Sequence, residues 1–95
     1  MLLEYQGQDL ADAVVRFTAD WCQPCKVYEP IFNKVAAETD VEFYTIDVEK
    51  HPELAYKVRL QMVPTLYAVR DGAWLKMPHP PTESTTRQAL ELIEN

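Results

Sequence analysis

From Ala13 to Ala19 the chain reads Ala-Val-Val-Arg-Phe-Thr-Ala, apolar and β-branched with one charge, Arg16. This predicts a strand buried at the centre of a sheet. Strand alternation puts Val14, Arg16 and Thr18 on one face and Val15, Phe17 and Ala19 on the other. The period then changes. Between Pro24 and Glu38 the apolar residues Val27, Ile31, Val35 and Ala36 recur at helical spacing. Pro24 suits the first turn, where its missing N–H costs no hydrogen bond, whereas Pro30 inside the same helix predicts a kink. Thr39-Asp40 ends the helix. Val41 to Val48 reads as a second strand, with Val41, Phe43, Thr45 and Asp47 on one face. Pro52 opens a short helix to Val58, packing through Leu54, Ala55 and Val58. Leu66 to Arg70 and Ala73 to Met77 form a hairpin turned by Asp71-Gly72. Thr82 to Glu94 closes the chain as a helix with Ala89, Leu90, Leu92 and Ile93 inward. Upstream, Met1 to Tyr5 reads as a short strand and Gln8 to Asp12 as a turn or a single helical turn. From the Ala13 strand onward the order is β-α-β-α-β-β-α. That order predicts an α/β protein: a central mixed β-sheet flanked by helices on both faces.

With 95 residues and 47% apolar content, residues 1–95 suit one domain with one core. A net charge of −6 without a basic cluster argues against nucleic acid as a partner. No stretch approaches the roughly 18 apolar residues of a membrane span. Met1-Leu2-Leu3 is followed at once by Glu4, so no apolar core of a signal peptide is visible. The expectation is a cytoplasmic protein that does not engage membranes. The one segment resembling a break, Pro78-His79-Pro80-Pro81, lies too near the C-terminus to divide domains.

The only two cysteines are Cys22 and Cys25, in Trp21-Cys22-Gln23-Pro24-Cys25-Lys26. Two thiols at this spacing close a redox-active disulfide, supply half of a zinc site, or sit unused. Zinc needs two more ligands, and His51 and His79 are not paired at finger spacing, so no metal is expected. A purely structural disulfide would close a tiny loop, and the stabilisation from a cross-link grows with loop length. The position favours the redox reading. Between a strand and a helix, Cys22 falls at a helix N-terminus, where unpaired N–H groups and the dipole favour a thiolate. Cys25 lies one turn in on the same side, close enough to attack a mixed disulfide formed on Cys22.

The element order, together with Phe17-Thr18-Ala19-Asp20-Trp21-Cys22-Gln23-Pro24-Cys25-Lys26, resembles the thioredoxin family over nearly the whole chain. Phe17 to Lys26 follows the family pattern F-x-A-x-W-C-x-P-C-K. Pro30 falls where members kink the helix after the active site. Asp47-Val48-Glu49 and His51-Pro52-Glu53-Leu54-Ala55 look like the third strand and the helix after it. Val63-Pro64-Thr65 looks like the cis-proline motif, and Arg70-Asp71-Gly72 matches the basic hairpin turn. The resemblance implies a thioredoxin fold with a trimmed N-terminus and a thiol–disulfide oxidoreductase that reduces protein disulfides. Cys22 would be the exposed nucleophile and Cys25 the deeper resolving thiol. No cofactor is implied beyond the redox-active Cys22–Cys25 disulfide. Substrate would meet Trp21, Gln23, Pro24, Val63 and Pro64, with a cis Pro64 leaving Val63 free to pair with an extended peptide. The implied partners are disulfide-containing proteins and a thioredoxin reductase or equivalent electron donor, with the chain itself a monomer. The alternatives are a glutaredoxin-like or isomerase-like variant, and a thioredoxin-fold binding subunit or adaptor whose redox activity is incidental.

Departures from the pattern concentrate near the dithiol. Most members carry a buried Asp six residues before the first cysteine, assisted by a Lys on the neighbouring strand. Here those positions are Arg16 and Thr45. Arg16 cannot act as a base at neutral pH. Either its head reaches the dithiol and modulates it by favouring thiolates, or its stem is buried and its head escapes to solvent. A buried unpaired guanidinium is costly, so Arg16 is expected to reach solvent or pair with a carboxylate. Thr18 replaces a family Trp, Gln23 replaces the usual Gly, and Met77-Pro78-His79-Pro80-Pro81 replaces the Gly after the last strand.

Overall fold

In the computed structural model, which describes residues 1–94, Ala13–Thr18 (β2) lies at the middle of a five-stranded sheet. The other elements are β1 (Leu2–Glu4), α1 (Gln23–Ala37), β3 (Phe43–Asp47), α2 (Pro52–Lys57), β4 (Thr65–Arg70), β5 (Ala73–Lys76) and α3 (Glu83–Glu94). The strand order is β1-β3-β2-β4-β5. β1, β3 and β2 run parallel, while β4 and β5 are antiparallel to their neighbours. The mixed sheet of the sequence reading is present, with β2 apolar on both faces because both are covered.

Alternation along β2 separates two cores. Val14, Phe43, Leu66 and Ala68 face α1 and α3, meeting Tyr28, Phe32, Val35, Ala36, Ala89 and Leu90. Val15, Phe17, Tyr44, Ile46, Tyr67 and Val69 face the other way, against Leu54 of α2. Asp71 and Gly72 both take positive φ, 51° and 79°, the conformation that lets a two-residue turn follow the twist of β4 and β5.

Several expectations are corrected. Val27 does not face the core but is 70% exposed; the buried line of α1 is Cys25, Tyr28, Phe32, Val35 and Ala36. The bulky Tyr28 and Phe32 rings set the inward side, and Val27 sits about 100° around the helix from Tyr28. On α3, Leu92 is 40% exposed and Thr86 is buried instead, because its hydroxyl is held by the Tyr28 hydroxyl. Residues 8–10 take no regular structure and residues 11–12 form a bend, rather than a helical turn, and α2 ends at Lys57. Pro30 lies inside α1 without ending it.

Candidate functional site

The turn after β2 delivers the Cys22–Cys25 pair to the start of α1. Cys22 is the N-cap residue, with extended backbone (φ −90°, ψ 106°), and its Sγ accepts the Cys25 N–H at 3.2 Å. One of the otherwise unpaired N–H groups of the helix start therefore points at the sulfur. Pro24 occupies the first turn, where it removes no helical hydrogen bond. The two sulfurs are joined as a disulfide, with the Cα atoms 5.3 Å apart.

Cys22 was expected to be exposed, yet it is only 4% exposed, against 1% for Cys25. In the oxidised pair both cysteines share a small buried cluster with Ala19, and Val48 and Val63 pack against that cluster. Trp21 is 70% exposed beside them, which removes simple core packing as its role. Gln23 and Pro24 are also exposed, and they line a shallow apolar depression with Val27, Tyr28, Ile31 and Pro81. The proline-rich segment after β5 thus reaches the neighbourhood of the dithiol. The Val63–Pro64 peptide is cis, Pro64 is buried, and Val63 packs on the cysteine pair.

Arg16 takes neither of the two placements considered from the sequence in its simple form. Its side chain is 2% exposed, so the head does not escape to solvent. It pairs with the Glu29 carboxylate at 2.9 Å, as the cost of an unpaired charge demands. It also reaches the dithiol's backbone: Nη1 donates to the Cys25 carbonyl at 3.3 Å, while Nε donates to Thr45 Oγ1 at 2.9 Å. The guanidinium carbon lies 5.4 Å from the centre of the Phe32 ring. Burial lowers the Arg16 pKa, and Glu29 raises it; a guanidinium starts so high that it stays charged. Glu29 was missed by the sequence reading. Its signal was available: it stands four residues after Cys25, on the helix face that lies over Arg16. Arg16, Cys25, Glu29 and Thr45 border a cleft of about 580 Å³ between α1 and the sheet.

Among the described residues, no group of three or more His, Cys, Asp or Glu side chains is placed to hold a metal ion. No helix among them is long and apolar enough to cross a membrane.

Residues 5–93 match the family model described as Thioredoxin. The rice protein Thioredoxin H2-1 (Oryza sativa subsp. japonica) is 42% identical over 60 residues, covering 62% of this chain and 44% of that protein. A thioredoxin of Borreliella burgdorferi is 36% identical over 56 residues, covering 57% of this chain and 48% of its own. The chain therefore spans about half the length of these curated relatives. Among solved structures, a mutant thioredoxin from Halobacterium salinarum NRC-1 superposes with a TM-score of 0.84 at 29% identity, covering 99% of this chain and 91% of that one.

Proposed function

This chain belongs to the thioredoxin family, and from that membership we propose that it is a thiol–disulfide oxidoreductase that reduces disulfides of other proteins. The observation that carries the proposal is the Cys22–Cys25 disulfide at the start of α1, with the Cys25 N–H aimed at the Cys22 sulfur. In the reduced protein that N–H and the helix dipole favour a Cys22 thiolate. The thiolate attacks one sulfur of a target disulfide and expels the other as a thiolate, leaving a mixed disulfide. Cys25, one turn away, loses its proton and attacks the Cys22 sulfur. The second target thiol leaves, and the Cys22–Cys25 bond re-forms. Two electrons pass to the target, and a reductase must return two to the chain.

We assign substrate contact to Trp21, Gln23, Pro24, Val63 and Pro64. Exposed Trp21 offers a flat apolar face next to the sulfurs. Val63 packs on the cysteine pair, next to Pro64, where strand-like pairing with an extended peptide would bring a target disulfide to the sulfurs. Residues 1–95 would act as one monomeric domain in the cytoplasm, recycled by a thioredoxin reductase or an equivalent donor.

The test is turnover of a model protein disulfide by the reduced chain. Cys22→Ser should abolish turnover, and Cys25→Ser should accumulate a mixed disulfide through Cys22. Unchanged turnover in Cys22→Ser overturns the proposal. A cellular role that survives replacement of both cysteines would identify an adaptor instead.

A further inference from the structure

Both main-chain polar groups of Cys25 are engaged near the dithiol. Its N–H points to Cys22 Sγ, and its carbonyl accepts from the Arg16 guanidinium. Arg16 is held on three further sides: by Thr45 of β3, by Glu29 of α1, and by the Phe32 ring at 5.4 Å. A fixed positive charge thus sits under the first turn of the helix that carries both sulfurs.

We propose that Arg16 is a positioning residue that sets the redox balance of the Cys22–Cys25 pair, favouring the dithiol over the disulfide. The proposal presumes that the pair is a working redox couple, as argued above. Reduction of the disulfide takes up two electrons and two protons and gives two thiols, one of which can then release its proton to become a thiolate. The neutral disulfide gains nothing from a nearby cation, whereas the thiolate does. Arg16 therefore stabilises only the reduced side of the equilibrium.

Other charges line the same cleft: Glu4 of β1, Lys26 and Glu29 of α1, Asp47 of β3, and Asp20, Lys50 and His51 in the turns. Asp47 and His51 are half-buried, and the rest of these are exposed, so water and salt weaken them. Arg16 alone among them is buried, where charge acts through a lower effective dielectric. Its partner Glu29 is 57% exposed, so its opposing field at the sulfurs is the more screened of the two. The two residues should consequently push the equilibrium in opposite directions. A pair that served only to hold α1 on the sheet would not do so.

The experiment equilibrates the wild type, Arg16→Met, Arg16→Lys and Glu29→Gln with glutathione buffers at neutral pH. The dithiol fraction is read by mass after alkylation. Arg16→Met keeps the buried stem without the charge and should move the equilibrium about tenfold toward the disulfide, equivalent to about 30 mV. Its Cys22 thiol should also titrate higher, as read from the pH dependence of alkylation. Glu29→Gln leaves Arg16 uncompensated and should move the equilibrium toward the dithiol. Arg16→Lys should lie closer to the wild type than Arg16→Met does. A shift of Arg16→Met toward the dithiol, or none beyond twofold, overturns the proposal. If circular dichroism shows that Arg16→Met does not fold, Glu29→Gln decides: no shift, or a shift toward the disulfide, overturns it equally. The equilibrium needs no protein substrate. Opposed shifts in a chain that reduces no protein disulfide would overturn the proposed function and keep the role of Arg16.

Discussion

Arg16 and Thr45 are register partners across β2 and β3, and the Arg16 Nε donates to Thr45 Oγ1 at 2.9 Å. The strand pairing therefore brings Arg16 beside Thr45, the neighbouring-strand position that the family resemblance points to, and gives the buried cation an acceptor there. Thr45→Val keeps the shape and removes the acceptor. An unpaired buried N–H costs about 1–3 kcal/mol, and the variant should lose that much in urea denaturation. A loss below ~0.5 kcal/mol would mean that water or another side chain takes over from Thr45.

The two thiols should differ in reactivity. Cys22 caps α1 and receives the Cys25 N–H, whereas Cys25 lies one turn deeper at 1% exposure. In the reduced protein at neutral pH, iodoacetamide should label Cys22 first, and peptide mapping after brief exposure reads the order. Faster labelling of Cys25 would reverse the assigned roles.

Tyr28 provides a pH signature of the contact between α1 and α3. Its hydroxyl is buried against Thr86, and burial pushes its pKa up to about 12. The folded state thus holds this proton more tightly than the unfolded chain, whose tyrosines titrate near 10. Stability from this group is complete below about pH 10 and is lost as pH rises toward 12. The wild type should lose about 2–3 kcal/mol more than Tyr28→Phe across that interval, measured by urea denaturation. Parallel pH profiles for the two proteins would show that Tyr28 ionises normally.

Val27 and Phe32 carry opposite expectations although both are large apolar residues of α1. Val27 is 70% exposed, while Phe32 is fully buried between Phe43 and the Arg16 guanidinium. Val27→Ser should change stability by less than ~0.5 kcal/mol, whereas Phe32→Ala should cost about 3–5 kcal/mol. Thermal or urea unfolding of the two variants checks the pair. A costly Val27→Ser would place that residue in contact with the rest of the fold.

The secondary-structure elements and the position of the dithiol were legible in the chain alone. An apolar β-branched run can be stable only where both its faces are covered, so β2 had to be central. The spacing of Cys22 and Cys25, with Pro24 between them, is local, and a helix start follows from local chemistry. Asp71-Gly72 specified its turn because two positive φ angles suit few other residue pairs. Which side of each helix faces inward depended on packing, since Val27 and Leu92 fit a helical period as well as their buried neighbours do. The surroundings of Arg16 depended on it too. The guanidinium contacts β3, the backbone of Cys25, and Glu29 and Phe32 of α1, residues separated by up to 29 positions. No local pattern records such a meeting, because a charge finds its partners only when strand register and helix packing have fixed the space around it.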